Sequence, residues 1–350
     1  MADPVRFDER LNRRVRTGGP LSQAASTYRL AVEALQRNDF RRARLLGRFT
    51  EDEAREGREL YPVFAERARA FLLGQGVSAE RLAAEERKIS DALRGPDGSA
   101  FDLERGWSAY TAALDGFEAA CEREDAPAAL EWVERARSMW RETHDLACDL
   151  VYGLLDVAYR LLGEDRIGEM WDHILEDVYP SRDRYDVRTR PWRESLEELL
   201  LDAAASLRGH LSGPARTGEI EIQEHSDRFV LRFDPCGSGG RTLRPDVEGG
   251  PPRMGSPTNV AVTTRPHDWA WNMEGVCLYC VHCCQLQERA SIRRLGYPVR
   301  VVEPPVWPDA TNRACTWTVY KDPSLVPDDA YRRVGLEPTA DTSADVPEDR

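Results

Sequence analysis

Two short stretches of this chain repeat each other, ALQRND at residues 34–39 and ACERED at residues 120–125. Around the first stretch, apolar residues recur at steps of three and four as Tyr28, Ala31 and Leu35 and then as Phe40, Ala43 and Leu46. This period predicts helices with one buried face. Asn38-Asp39 interrupts the period with residues that favour a turn. We therefore expect a helical hairpin that turns at residues 38–39 and a second copy that turns at residues 124–125.

Helical periodicity extends over residues 22–209 and stops at Ser212-Gly213-Pro214. Beyond that point the apolar residues alternate at 219–222 and 229–233, which predicts a β-hairpin. Further candidates are strands at 299–302 and 316–320 and a helix at 285–295. The fold class that we predict is mainly α, with an N-terminal multi-helix bundle followed by a small α+β cysteine-rich domain that contains the β-hairpin.

These patterns divide the chain into four parts. Residues 1–20 are polar and arginine-rich and are expected to be a flexible arm, and residues 21–211 form the helical domain. Residues 214–336 form the cysteine-rich domain, in which the Pro- and Gly-rich residues 244–266 predict a long loop. The acidic residues 337–350 are expected to be a disordered tail.

The composition restricts the kind of protein. The 350 residues are 41% hydrophobic, which is enough for a core, and their net charge of -13 argues against nucleic-acid binding. No apolar run approaches the roughly 20 residues of a membrane span, and the N-terminus lacks the pattern of a signal peptide. We expect a cytoplasmic protein that binds neither membranes nor nucleic acid, and in that compartment clustered cysteines bind metal or carry out redox chemistry.

Half of the eight cysteines lie in the segment CLYCVHCC at residues 277–284. Thiolates at this spacing close on one metal ion, because a tight turn brings both sulfurs to the same side. Cys236 follows the predicted hairpin and Cys315 precedes the last predicted strand, so both would arrive from strand ends. The metal ligands that we predict are Cys236, Cys277, Cys280, His282, Cys283 and Cys315.

Three chemistries fit this group of cysteines. A structural zinc site needs four ligands. An iron–sulfur cluster matches the Cys-x2-Cys-x2-Cys spacing, although the proline usual after a remote ligand is absent at Cys236 and Cys315. Thiol redox chemistry is favoured by the helix predicted after Cys284, since a helix N-terminus stabilises a thiolate. Zinc is the cofactor that we favour, an iron–sulfur cluster is the alternative, and buried cysteines without a ligand are the remaining interpretation.

A glycine-rich turn, Cys236-Gly237-Ser238-Gly239-Gly240-Arg241, follows a predicted strand and leads to Arg244. Consecutive glycines let backbone N–H groups converge on an anion, and the two arginines would clamp a carboxylate or a phosphate. The turn lacks the Gly-Lys-Ser/Thr of a nucleotide-binding loop. It predicts either a ligand site, with Cys236 as a nucleophile, or a wide turn that only orients Cys236.

Two tryptophans, Trp269 and Trp271, lie between His267 and the cysteine segment. On an extended segment they would share a face and either wall a ligand pocket or pack over the hairpin. Cys283 and Cys284 are adjacent and do not easily both bind one ion in tetrahedral geometry, so one thiol is expected to be spare for chemistry. The catalytic residues that we predict are His267, Cys236 and Cys284.

The helical region carries a second group of polar residues. Asp145 and Asp149 are one helical turn apart next to His144, and Glu169 and His173 form another pair with the same spacing. Facing helices with such groups would hold a metal, although the paired Glu-x-x-His signature of di-iron bundles is absent. The sequence therefore leaves open whether His144, Asp145, Asp149 and His173 form a second site or a solvated, salt-bridged face.

The order of these elements, with DPCGSGG at residues 234–240 and then Cys-x2-Cys-x-His-Cys, resembles a group of uncharacterised actinobacterial-type proteins. That resemblance implies no particular activity. Residues 140–290 are also similar to hydrolase-like domains of the aminothiazoline-carboxylate hydrolase type, which place cysteines after a helical region, although no motif matches residue by residue. This second similarity favours an enzyme.

Taken together, the sequence predicts a metal-dependent hydrolase or oxidoreductase that acts on a small polar or anionic molecule between the two domains. The Cys236 turn and residues 267–271 would line the pocket. The alternative is a metal- or redox-responsive interaction protein, with a structural zinc site and a partner-binding helical domain. Three protein ligands and an open position at the metal favour the enzyme, and four closed ligands favour the interaction protein.

Overall fold

A computed structural model of the chain describes residues 3–95, 98–245, 261–309 and 314–338. Helices dominate it, and a small antiparallel sheet lies in the C-terminal part, so the predicted mainly-α fold class is confirmed. The N-terminal helices are α1 (Thr27–Gln36), α2 (Phe40–Gly74), α3 (Ala79–Ala92), α4 (Leu103–Glu122), α5 (Ala126–Leu162), α6 (Ile167–Leu175) and α7 (Trp192–Gly209). The C-terminal helices are α8 (Val281–Cys283), a π-helical segment (Cys284–Arg289), α9 (Ala290–Leu295) and α10 (Asp328–Arg332).

The repeated stretches form the same turn twice, between α1 and α2 and between α4 and α5. Asn38 and Glu124 both have a φ of 56°. Asp39 and Asp125 then cap the helices that follow, each accepting a backbone N–H from three residues further on. Because the turn depends on local residues, the short repeat is enough to give two copies of a helical hairpin.

The strands are β1 (Val5–Asp8), β2 (Arg13–Arg16), β3 (Glu221–Glu224), β4 (Arg228–Phe233), β5 (Val301–Glu303) and β6 (Cys315–Tyr320). The last four form one antiparallel sheet in the order β3-β4-β6-β5. Its register pairs Phe233 with Cys315. Since Cys236 closely follows β4, the sheet brings the Cys236 turn to the end of the sheet at which β6 begins with Cys315.

The N-terminal segment differs from the prediction. In place of a flexible arm, β1 and β2 form an antiparallel hairpin that packs on the helices. Arg16 is buried and donates hydrogen bonds to the Ala25 carbonyl and the Thr27 hydroxyl, and Arg13 forms an ion pair with Asp202 in α7. The polar composition suggested a loose segment because these partners are distant in sequence.

One hydrophobic core runs across the predicted boundary between the two domains. It joins Tyr152 of α5 and Trp171 of α6 with Tyr279, Phe233 and Val319 of the C-terminal part. A second core lies between the two helical hairpins. The helical region and the sheet are therefore held together by shared burial, with side chains from both parts in one apolar cluster.

Two predicted features lie outside the described residues: positions 246–260 of the long loop, and positions 339–350 of the acidic tail. Among the helices that the structure describes, none is long and apolar enough to cross a membrane.

Candidate functional site

Five thiols from three parts of the chain meet between the sheet and α5. Burial and the nearby thiols of Cys236 and Cys283 raise the pKa of Cys315. A hydrogen bond to Cys277, burial and the same two thiols raise the pKa of Cys280. Cys236 and Cys315 thus come to the cysteine segment from the strand ends, and they form with Cys277, Cys280 and Cys283 what we call the thiol cluster.

Consecutive tight turns shape the cysteine segment. The backbone N–H groups of Cys280, His282 and Cys283 each donate to a carbonyl three residues earlier. Trp171 in α6 donates its indole N–H to the Leu278 carbonyl at 2.8 Å. Burial opposes ionisation of Cys277, but hydrogen bonds, chiefly from Cys280 and Tyr152, outweigh burial and lower its pKa to about 7.

Cys283 lies beside a histidine in the correct tautomer to accept its proton. His282 Nδ1 is 2.6 Å from the Tyr279 carbonyl oxygen, which only accepts, so Nδ1 carries the hydrogen. The other ring nitrogen, Nε2, is therefore an acceptor, and it lies 3.3 Å from Cys283 Sγ. Burial lowers the pKa of His282 to about 4 and raises that of Cys283, so at neutral pH the pair is a thiol and a neutral imidazole.

A partly enclosed cavity of about 250 Å³ lies between α2, α7 and the C-terminal part. Cys236, Ser238, His282 and Cys283 line one wall, and His210 at the end of α7 lines another. Cys236 Sγ lies 3.4 Å from Ser238 Oγ. Two thiols and two imidazoles therefore face one small space.

Two buried arginines of the same cavity form no ion pair with a carboxylate of the described residues. Arg300 is 4% exposed, and its guanidinium makes no hydrogen bond or ion pair with the described residues. It lies over the Trp317 ring, 4.6 Å from the ring centroid. Arg182 is 5% exposed, and its partners within the described part of the chain are the neutral oxygens of Ser181 and Gln287. The charge of Asp202 acts on both guanidiniums and that of Glu56 acts on Arg300, but without the direct contact of an ion pair. A buried guanidinium with no carboxylate in contact suits this cavity to an anion.

Two carboxylates, Glu56 and Asp202, line the opposite side of the cavity. Burial opposes ionisation of Asp202, but the charges of its ion-pair partners Arg184 and Arg13, together with those of Arg300 and Arg182, outweigh burial and lower its pKa. Burial and the neighbouring Asp202 raise the pKa of Glu56. Arg13 and Glu56 also line a pocket on the surface, so the cavity approaches solvent beside the N-terminal hairpin.

The glycine-rich turn does not form the predicted anion clamp. Arg241 is buried and forms ion pairs with Asp145 and Asp149 of α5, and Arg244 forms an ion pair with Asp234. Both arginine charges are thereby matched within the protein. Tyr152 of α5 donates to the Ser238 and Gly239 carbonyls, which fixes the turn against the helix.

Close packing explains why two positions of this turn are occupied by glycine. A Cβ on Gly237 would lie 1.7 Å from the His210 carbonyl oxygen, and one on Gly239 would lie 2.4 Å from Cys280 Sγ. Gly240 packs next to Cys236. The turn therefore brings Cys236 and Ser238 to the cavity, which corresponds to the orienting role among the two predicted alternatives.

Residues 267–271 lie away from the cavity. Asp268–Ala270 is a 3₁₀ turn and not an extended segment, so Trp269 and Trp271 do not share a face. His267 Nε2 is 2.8 Å from a Glu164 carboxylate oxygen, and its ring stacks on Trp269. Trp271 is buried and donates to Glu288. The predicted pocket wall and the predicted catalytic role of His267 are not supported by this placement.

The adjacent thiols of Cys283 and Cys284 diverge. Cys283 faces the cavity, whereas Cys284 is buried within the π-helical segment with its sulfur 3.7 Å from the Asp268 carbonyl oxygen. Burial raises the pKa of Cys284. Of the two adjacent thiols, Cys283 therefore lines the cavity, whereas Cys284, the predicted catalytic thiol, does not.

Part of the second polar group comes together as a hydrogen-bonded chain. His144 Nδ1 lies 2.9 Å from Asp145 Oδ1, and His144 Nε2 lies 2.8 Å from His210 Nδ1. Arg216 and Arg241 outweigh burial and hold the pKa of Asp145 well below its usual value. His173 is elsewhere, with its ring beside Phe71. These groups form a buried network and not a four-residue metal site.

No group of three or more His, Cys, Asp or Glu side chains within residues 3–95, 98–245, 261–309 and 314–338 is arranged to hold a metal ion. Binding zinc at the thiol cluster would require the cysteine side chains to turn toward a common point. Zinc and the iron–sulfur cluster therefore stay predictions.

Sequence reasoning missed Arg182, His210 and Arg300. No motif surrounds them, and nearby residues do not distinguish them from the other arginines and histidines of the chain. A buried arginine without an ion-pair partner can be recognised only in the folded structure, because the sequence does not show which carboxylates lie near it.

Comparison with known proteins finds no matching family model, no similar curated protein and no similar solved structure. The two resemblances inferred from the sequence therefore stay predictions, and the chemistry of the cavity is the basis for the function proposed below.

Proposed function

We propose that the cavity is the active site of an enzyme that acts on a small anionic molecule through the Cys283 thiol. One observation carries this proposal: Cys283 with its acceptor His282 lines the same partly enclosed space as Arg300, whose guanidinium forms no ion pair with the described residues. Pockets of this kind, with a few convergent polar groups, are typical of small-molecule sites. A cytoplasmic location belongs to the proposal, because the thiols must stay reduced.

In the reaction, Arg300 and Arg182 bind the anionic group and hold an electrophilic carbon near Cys283. The Cys283 S–H bond breaks, and its proton moves to His282 Nε2. The sulfur electron pair forms an S–C bond while the bond from that carbon to the leaving group breaks. The leaving group takes the electron pair and then the proton held by His282. Water then attacks the same carbon while His282 Nε2 takes a proton from it; the S–C bond breaks, and the Cys283 sulfur keeps the electron pair and takes that proton, which restores the thiol.

The role of His282 is tested by alkylation with iodoacetamide, followed cysteine by cysteine with peptide mass spectrometry. We expect Cys283 to react faster than Cys284, because Cys283 faces the cavity with an imidazole acceptor. His282→Asn removes that acceptor and should slow alkylation of Cys283 by on the order of 100-fold.

His267→Asn is the matched control, since His267 hydrogen-bonds to Glu164 away from the cavity and should leave the rate at Cys283 unchanged. Equal rates at Cys283 in the His282→Asn variant and the unchanged protein would contradict the proposed dyad. Far-UV circular dichroism of both variants shows whether the fold is retained.

Zinc binding at the thiol cluster is a second candidate function. The observation that favours it is that Cys280 lies near Cys277 and Cys236, that Cys315 also lies near Cys236, and that Cys277 already accepts backbone N–H hydrogen bonds and has a pKa lowered to about 7. A thiolate stabilised in this way is the form that binds zinc. The ion would be structural and would leave Cys283 and His282 free for the cavity.

Elemental analysis and a UV–visible spectrum of anaerobically purified protein test this second candidate. We expect about one zinc ion per chain and no visible colour. Cys277→Ser should abolish the metal, whereas Cys121→Ser, in the remote helix α4, should retain it. Protein that contains no metal under these conditions excludes the zinc site, and a brown protein with broad visible absorbance points to the iron–sulfur alternative.

A further inference from the structure

We propose that His210 is a second proton-accepting group of this cavity, oriented by a chain that runs from Asp145 through His144. The inference rests on the proposed function, because it assumes that a small molecule or water occupies the cavity. It adds a base that is separate from the Cys283–His282 pair and that belongs to the helical region of the chain.

The tautomers along the chain follow from the acceptor at its end. The Asp145 carboxylate accepts from His144 Nδ1–H, so His144 Nε2 has a lone pair. His210 Nδ1 lies 2.8 Å from that nitrogen and therefore carries the hydrogen that it donates. His210 Nε2 is left as an acceptor, and it has no hydrogen-bond partner among the described residues. His210 lines the cavity, so this free nitrogen is available to what the cavity holds.

The helices and loops around the chain hold it in place. Tyr61 of α2 lies with its hydroxyl 3.0 Å from His144 Nε2 and 3.2 Å from His210 Nδ1. Arg216 binds the Asp145 carboxylate and the Gly237 carbonyl, which ties the chain to the Cys236 turn. The His210 carbonyl packs directly on Gly237. The histidine is therefore fixed on the same support as the cavity thiols.

The charges facing the two imidazoles keep both neutral at rest. Burial lowers the pKa of His144, and the hydrogen bond to Asp145 only partly opposes this effect. The charges of Arg216 and Arg241 lower the pKa of His144 further. The pKa of His210 is lowered well below its usual value by burial and by the neighbouring His144, His282 and Arg216. The Asp145 charge raises this pKa but does not outweigh the other effects. Neutral imidazoles are the form that accepts protons.

The proton balance is simple. An O–H or N–H bond of the bound molecule or of water breaks, and its proton joins His210 Nε2. The Nδ1 proton of His210 can then move to His144 Nε2. The positive charge comes to lie on His144 next to the Asp145 carboxylate, which stabilises it, as a carboxylate stabilises the imidazolium of a catalytic triad. Asp145 and His144 are positioning residues in this scheme, since neither lines the cavity.

NMR of protein labelled with ¹⁵N-histidine tests the chain directly, since the sequence has only 6 histidines. At pH 7.5 we expect His144 and His210 to be neutral with the hydrogen on Nδ1, and to remain neutral below pH 6.5. A variant with both His144→Phe and Tyr61→Phe removes the two acceptors that lie next to His210 Nδ1–H and should shift His210 toward the Nε2–H tautomer. A His210 that is protonated at Nε2 in the unchanged protein overturns the proposal, and so does an unchanged His210 tautomer in the variant.

Modification by diethyl pyrocarbonate tests access to the free nitrogen without any variant. We expect His210 to be carbethoxylated in the native protein, with exposed His225 as the reference, while His144 is protected because its Nε2 is occupied. Failure of His210 to react while His225 does would contradict the assignment. Neither experiment depends on Cys283 reactivity, so a failure here is separate from a failure of the proposed thiol chemistry.

Discussion

Replacing Asp149 by Leu should destabilise the protein by about 3–5 kcal/mol, because the change leaves the guanidinium of Arg241 buried without its nearest counter-ion. Asp149 is fully buried in α5, and Arg241 is buried in the turn that carries Cys236. The pair joins the helical region to the glycine-rich turn. Arg241→Met should have a cost of similar size, because it leaves Asp149 buried with one charge fewer nearby. Urea denaturation at pH 7.5 measures both changes.

The double variant Asp149→Leu with Arg241→Met separates a charge effect from a packing effect. If the cost of each single change is an uncompensated buried charge, the double variant is less destabilised than the sum of the two. Arg332→Met is the surface control, because Arg332 and Asp328 are an exposed ion pair in α10, and its cost should be below about 1 kcal/mol. Strictly additive costs for the buried pair would contradict the argument.

The helical hairpins could be predicted because the information is local. Asn38-Asp39 and Glu124-Asp125 form the same turn and helix cap, and these residues themselves determine both features. Apolar periodicity identifies the buried faces of the helices. The C-terminal hairpin was predicted for the same reason, since alternating apolar residues identify the two strands that pair as β3 and β4. The N-terminal hairpin was missed, because the ion pair from Arg13 to Asp202 spans the chain.

The site was predictable only in part. The cysteine segment and Cys236 identified the region of the cavity, but nearness in sequence suggested His267 and Cys284 for catalysis, and neither residue lines the cavity. A 3₁₀ turn directs His267 to Glu164, and the winding of the π-helical segment directs Cys284 away from Cys283. Arg300 and His210 come from other elements and reach the cavity only through packing of the sheet and α7. Among the described residues, Arg300 has no ion-pair partner and His210 Nε2 has no hydrogen-bond partner, and the sequence shows neither.

The recognition of a negative charge should have a large and selective effect on the reactivity of Cys283. Iodoacetate carries a carboxylate and iodoacetamide does not, while the reacting carbon is the same. A charge-assisted hydrogen bond from Arg300 contributes about 1.5–3 kcal/mol, which corresponds to about a 10- to 100-fold gain for iodoacetate over iodoacetamide. Arg300→Met removes that gain. Arg232→Met, on exposed residue Arg232 of β4, should leave it unchanged.

The ratio of the two alkylation rates at Cys283, measured relative to the same ratio for N-acetylcysteine, is the most direct test of an anion site beside a reactive thiol. We predict a ratio at least about tenfold above that of the free thiol in the unchanged protein and in Arg232→Met, and a fall to the free-thiol value in Arg300→Met. The iodoacetamide rate should change little in either variant. A ratio in the unchanged protein equal to that of N-acetylcysteine, or one that Arg300→Met leaves intact, would contradict the account.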